Sequence, residues 1–203
     1  MSFKEKAKNY DNKSREKRSQ IIAEKIVEIV NDTQNSVALE YGCATGLISF
    51  NLKDRFKKIT LMDSEEEMIK IVKKKVQDAN ITNIFPIKIN LTKEEYNEKY
   101  DVIYTSLTLH HIVDIENMIK VFYSMLNKNG ILIIIDLDKE DGSFHMDTKD
   151  FIGHNGFEHE HIENILKQVG MTNIKSETFF HSEKNLKDKR IPYSLFYTIS
   201  YKK

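Results

Sequence analysis

The stretch Ala38-Leu-Glu-Tyr-Gly-Cys-Ala-Thr-Gly46 decides the fold. It continues a short apolar run, SVALEY (36–41), that reads as a buried strand, and it leads into LISFNLKDRF, which reads as a helix. Glycine at 42 and 46 permits a tight turn and lets a ligand approach the backbone, while the helix start beyond it offers unpaired N–H groups. A purely structural strand-to-helix turn favours glycine too, so the turn needs context. That context is Asp63, which ends the next strand, KKITLMD (57–63), 17 residues beyond Gly46. An acid roughly 20 residues past such a turn is placed to hydrogen-bond ribose hydroxyls at the carboxyl edge of a parallel sheet.

Working outward, the alternation of strand and helix continues. Ile22, Ile26, Ile29 and Val30 share one face of a helix over 14–30, which flanks the first strand as part of a helical lid over residues 1–35. Met68, Ile69, Val72 and Val76 share a face of the helix after Asp63. IFPIKI (84–89) is a third strand whose Pro86 cannot donate to a ladder and belongs at a sheet edge. YDVIYTS (100–106) is a fourth strand. A helix over 114–127 follows, with Gly130 suited to a left-handed cap. ILIIIDL (131–137) is continuous enough for a strand covered on both faces. Residues 138–156 are polar and glycine-bearing and read as a substrate-side loop. A helix over 158–169 stops at Gly170, and TNIKSETFF and IPYSLFYTISY are strands joined by the charged segment HSEKNLKDKR. The expected fold class is α/β, a Rossmann-like doubly wound seven-stranded sheet, mostly parallel with an antiparallel C-terminal strand, in one domain over 1–203.

Composition narrows the partners. Across 203 residues, 31 Lys plus Arg balance 31 Asp plus Glu, so no net field draws a polyanion and nucleic acid is not expected. The longest aliphatic run, Ile131 to Ile135, is too short to cross a bilayer, and the N-terminus has no apolar core, so a soluble cytoplasmic protein is expected. A single cysteine, Cys43, forms no internal disulfide and no thiolate cluster.

LEYGCATGLISFNL followed by ITLMDSEEEMI resembles the first two motifs of class I S-adenosylmethionine-dependent methyltransferases. The likeness runs on through YDVIYTSLTLHHI, LNKNGILIIID and HNGFEHEHIENILKQVGMTNI. AKNYDNKSREKR is similar to the start of the small-molecule group, methyltransferase type 11, that includes ubiquinone and menaquinone biosynthesis enzymes. The resemblance implies that Glu40, Gly42, Cys43, Ala44 and Gly46 line the methionine part of S-adenosylmethionine and that Asp63, with Ser64, holds its ribose. It places Met68 near the adenine, Asn90 and Leu91 at the adenine edge, and Ser106 beside the methionine carboxylate or sulfonium. Tyr10 and Asp11 fold over the cofactor or simply open the first helix. Ala44 departs from the glycine of the family pattern, and its methyl narrows the approach of the methionine moiety.

A sulfonium methyl is already activated, so the protein has mainly to align a nucleophile and, where needed, take its proton. His110 and His111, just past the fourth strand, are the candidates for substrate contact, with His110 the better candidate for a base; the plainer reading, which outweighs the catalytic one, is that one of them is a buried packing histidine bonded to a backbone carbonyl. His145, His154, His159 and His161 carry no accompanying cysteine, and His159 and His161 diverge on a helix, so no metal is expected. A small-molecule acceptor is the preferred reading because the Asp/Asn-Pro-Pro-aromatic signature of base and glutamine methylation is missing after the fourth strand. The alternatives are an RNA or protein methyltransferase, an NAD-type oxidoreductase, disfavoured because the turn lacks the GxGxxG register, and a noncatalytic binding module.

Overall fold

Asn12 starts the first helix, α1 (Lys13–Ile29), its side-chain oxygen accepting the Arg15 N–H at 3.1 Å. In this computed structural model the described residues are 10–31, 33–148, 150–186 and 189–203. They form seven strands in the order β3-β2-β1-β4-β5-β7-β6. The chain divides into two compact units, Met1–Ile103 and Tyr104–Lys203, with the boundary inside β4 (Tyr100–Ser106).

In the first unit β1 (Val37–Tyr41) pairs parallel with β2 (Lys58–Asp63), and β2 pairs parallel with β3 (Ile84–Lys88). Four successive residues of β1 and four of β2 are buried, as a sheet covered on both faces requires. Pro86 sits opposite Leu61 at the sheet edge, where its missing N–H costs no ladder bond. α2 (Leu47–Leu52) follows the glycine turn, and α1 packs on it, burying Ile22, Ala23 and Ile26. Within the 1–35 flank, α1 is thus a packed layer of this unit, and residues 1–9 lie outside the described residues. α3 (Glu66–Asp78) buries Met68, Ile69 and Val72 and packs on β2 and β3.

In the second unit α4 (Ile115–Met125) buries Ile115, Met118, Ile119, Phe122 and Met125, and is capped by Asp114, which accepts the Asn117 N–H at 2.9 Å. β5 (Leu126–Leu137) pairs antiparallel with β7 (Lys189–Lys202), and β7 pairs antiparallel with β6 (Met171–Leu186). α5 (His159–Val169) ends on Gly170 at φ 99°. The expected α/β sheet, with its antiparallel C-terminal strand, is the one observed.

Two local expectations are corrected. Gly130 is not the left-handed cap; Asn129 takes that conformation at φ 62°, which its short polar side chain tolerates. Gly130 serves close approach instead, since a Cβ there would meet the Asn127 carbonyl at 2.9 Å. Most of the charged segment is strand rather than connection: residues 181–186 and 189–190 extend the hairpin, with His181 opposite Ser194 and Asn185 opposite Arg190, and residues 187–188 lie outside the described residues. Alternation of side chains across the ladder lets charged residues occupy a strand when one face meets water. Among the described residues no helix is long and apolar enough to cross a membrane.

Phe122 is fully buried in the second unit. Phe122→Ala should cost about 3–5 kcal/mol, read as a fall in Tm of about 10 °C in a thermal melt.

Candidate active site

The turn between β1 and α2 is built from left-handed residues at alternate positions: Gly42 at φ 76°, Ala44 at 46° and Gly46 at 80°. Its N–H groups are held by the end of β2. Gly42 and Cys43 both donate to the Met62 carbonyl, at 2.8 and 3.0 Å, and Ala44 donates to Asp63 Oδ2 at 2.7 Å. Asp63 Oδ1 accepts the Glu65 N–H at 2.9 Å. Burial raises the Asp63 carboxyl above its ordinary range, and the N–H groups of Glu65, Ala44 and Ser64 pull it back. Ser64 itself is exposed.

The segment before α1 is tied to this turn. Asp11 accepts the Thr45 hydroxyl at 2.5 Å and pairs with Lys75 at 2.7 Å, and the same ammonium donates to the Thr45 carbonyl at 2.9 Å. Tyr10 is braced by Arg15, whose guanidinium lies 4.3 Å from the ring centre and donates to the Tyr10 carbonyl at 2.8 Å. Burial raises the Tyr10 phenol, Arg15 and Arg18 oppose it, and the charges of Asp63 and Glu40 are near enough to add to it. Asp11 thus meets the glycine turn through Thr45 and Lys75, while Tyr10 is held at the entry to α1 by Arg15.

Glu40, the last but one residue of β1, is buried with the Ser49 hydroxyl donating to it. Burial pushes its carboxyl up to about 8. Cys43 is buried, and its thiol lies well above the ordinary range for the same reason, so it is no nucleophile. Met68 is a core residue of α3. Asn90 Oδ1 accepts both the N–H and the hydroxyl of Thr92, at 3.0 and 2.7 Å, in a local turn, and Leu91 beside it is buried. Both lone pairs of that oxygen are engaged, so a further contact from Asn90 falls to its amide hydrogens.

The second unit gathers a different chemistry. His110 is 2% exposed, in a short 3-10 turn, Leu109–His111, just past β4. Its Nδ1 lies 2.5 Å from Oδ1 of Asp136, which is fully buried near the end of β5. The Asp136 carboxylate also accepts the N–H groups of His110 and Leu137, at 3.3 and 2.8 Å. With the carboxylate against Nδ1, Nε2 is the ring nitrogen that points away from Asp136. Sequence reasoning missed Asp136. Its signal was an acid closing the aliphatic run ILIIIDL, where a buried charge demands a partner.

Ser106 ends β4 with its hydroxyl buried and without a partner. His111 and His145 stand beside His110, their ring centres 4.1 and 4.9 Å from its own. His145 stacks flat on Phe151 at 3.9 Å, the rings 4° from parallel. His111 opens to solvent at its rim, yet its packed side is desolvated; this and neighbouring His110 lower it to about 4. Burial and the same neighbours lower His145 to about 4. Both rings are therefore neutral at pH 7.

His145 was read from the sequence as one of several loop and helix-start histidines, but the loop over 138–156 folds back and delivers it to this group. Lys139 and Glu140 donate to the Phe157 and Asn155 carbonyls at 3.0 Å each, closing the loop's base. At its tip His154 donates to the His110 carbonyl at 2.7 Å, and a Cβ on Gly153 would lie 2.1 Å from that carbonyl, so only glycine fits. His159 pairs with Asp138 at 2.7 Å, away from this group, and His161 opens α5.

A family model described as a methyltransferase domain matches residues 14–181. An uncharacterised methyltransferase of Schizosaccharomyces pombe is 27% identical over 152 residues, 68% of this chain and 54% of that protein. A malonyl-[acyl-carrier protein] O-methyltransferase of Ilyobacter polytropus is 31% identical over 134 residues, 64% of this chain and 48% of that protein. The chain spans about half the length of these curated relatives. Among solved structures, an S-adenosylmethionine-dependent methyltransferase from Aquifex aeolicus superposes with a TM-score of 0.68 at 18% identity, covering 99% of both chains.

Glu40 ionises near 4.5 in the unfolded chain and near 8 in the folded one, so the folded state holds the extra proton between those values. Stability therefore falls as pH rises from 4.5 to 8, and Glu40→Gln should flatten that decline in melts taken at pH 6 and pH 9. Ala44→Gly relieves a left-handed alanine and should raise Tm by about 1–4 °C. Gly46→Ala forces a Cβ to 2.9 Å from the Phe50 ring and 3.0 Å from Leu61, and should lower Tm by about 5 °C.

Proposed function

The chain belongs to the methyltransferase-domain family, and from that premise we propose that it transfers a methyl group from S-adenosylmethionine to a small-molecule acceptor, leaving S-adenosylhomocysteine. The observation that carries the donor half is the turn over 42–46 clamped by Asp63, with buried Glu40 beside it. The residues fit such a donor. Glu40 holds a proton that a nearby cation would expel, so an ammonium or sulfonium placed beside the turn gains an ionised partner. Asp63 keeps both oxygens on backbone N–H groups, which fixes the carboxylate for ribose hydroxyls. Asp11, tied down through Thr45 and Lys75, would close one side of the turn over a bound donor.

S-adenosylmethionine supplies a methyl already activated on sulfur. The remaining work is to orient an acceptor and receive its proton, and His110 is built for both. Asp136 fixes its tautomer, directs Nε2 away from the carboxylate, and stabilises the imidazolium formed on protonation. His111 lies against it as a neutral polar contact. Exposed Val113, Met146 and Ile152, on the turn and the loop, suit an acceptor with an apolar part.

Purified protein incubated with methyl-labelled S-adenosylmethionine and separate pools of metabolites, peptides and RNA should pass label to the metabolite pool. Label entering only RNA or protein would overturn the small-molecule reading. His110→Gln should retain S-adenosylhomocysteine binding by calorimetry while turnover falls about 100-fold or more.

A further inference from the structure

We infer that His110, His111 and His145 form a binding site for a divalent transition-metal ion of the zinc type. One ligand nitrogen from each ring lies within 4.8 Å of the other two. A tetrahedral ion with bonds of about 2.0–2.1 Å needs nitrogens about 3.4 Å apart. Closing that difference would fall mainly to His111, whose ring lies at the exposed rim, with His110 held by Asp136 and His145 stacked on Phe151. The site is not a chance cluster of surface histidines. His145 is 7% exposed, and its Nδ1 is buried with no hydrogen-bond partner, a cost that a ligand would remove.

The outer contacts are those of a metal site. The Nδ1 of His110 is held by the Asp136 carboxylate, an arrangement that orients Nε2 and raises its basicity as a ligand. His145 belongs to the turn Ser143–His145, whose start is pinned by Glu140 Oε2 accepting the N–H groups of Gly142 and Phe144 at 2.9 and 3.0 Å. Lys184, on the extended part of β6, donates to the Phe144 carbonyl at 2.6 Å. Phe151 stacks on the His145 ring and fixes its plane. His111 opens to solvent and supplies the way in.

Three imidazole ligands without a thiolate favour zinc, copper, nickel or iron over magnesium or calcium. Three protein ligands also leave a coordination position open for water or an acceptor atom. With such an ion bound, Nε2 of His110 would be a ligand and the ion would supply Lewis-acid polarisation of an acceptor atom, so the proton-accepting role of His110 proposed above belongs to the metal-free protein. The metal site stands independently of which acceptor is methylated.

The test is a cobalt(II) titration of the full chain after chelator treatment and desalting, followed by visible d–d absorption and by Tm. We expect one equivalent of cobalt with a tetrahedral band, displaced by zinc, and a rise in Tm with each metal. The band should vanish in His111→Ala and His145→Ala and persist in His154→Ala and His161→Ala. Asp136→Asn should weaken cobalt binding about 10- to 100-fold, as loss of an outer-shell partner does. If His145→Ala does not fold, His111→Ala decides alone, because that ring lies at the exposed rim. No band at any ratio, or a band of unchanged affinity in His111→Ala, overturns the proposal. Absorption without label transfer would sink methyl transfer and leave the metal site standing; label transfer without absorption would do the reverse.

Discussion

The last two residues of β2 hold the glycine turn in place. Met62 contributes a carbonyl that takes two N–H groups, and Asp63 contributes a carboxylate that takes a third. A turn with three left-handed residues in five positions is costly to order and would not persist alone. Its donors are met by a neighbouring strand rather than by water, so its conformation is set by the register of β1 against β2, in which Tyr41 faces Met62. Ala44 is tolerated in a glycine position for the same reason, because the N–H that its strained backbone presents is matched by a charged acceptor. The segment before α1 then builds on the turn through Thr45 and Lys75.

The second unit repeats the device with different chemistry. Asp136, one residue before the end of β5 where Asp63 is the last of β2, is buried among aliphatic residues and is satisfied by two backbone N–H groups and one imidazole. A fully buried carboxylate left unpaired would be strongly unfavourable, so the His110 ring is constrained as tightly as the strand itself. The loop over 138–156 closes over this point because Gly153 and Gly156 allow backbone approaches that no side chain permits: a Cβ at Gly156 would lie 2.1 Å from the Asp138 carbonyl.

What was legible in the sequence is what depends on short separations. The glycine turn, Asp63 at a strand end, Pro86 at a sheet edge and Gly170 at a helix end are all local patterns whose physical meaning is fixed within a few residues. The grouping of His145 with His110 and His111 was not legible, because it depends on a polar loop with no periodicity folding back across more than thirty residues. The local turn that Asn90 closes with Thr92 was not legible either, although a side chain of this type commonly bonds a serine or threonine that follows closely. The hairpin was read too short because charge was taken as a mark of a loop, although a strand facing water carries charge at alternate positions.

That long hairpin also bears on how the protein behaves in a crowded cell. β6 is an outermost strand of the sheet and sixteen residues long, with one side of its backbone unpaired by any strand, and such a strand is a template on which another chain could polymerise. Two irregularities in its register, at 172/175 and 178/180, and the charges of Lys175, Glu177, Glu183 and Lys184 spaced along it bend and charge that edge. At the opposite edge, β3 is five residues long and carries Pro86. Both edges are thus unsuited to adding a foreign strand, which favours colloidal persistence in a chain whose net charge is zero and which therefore lacks long-range repulsion.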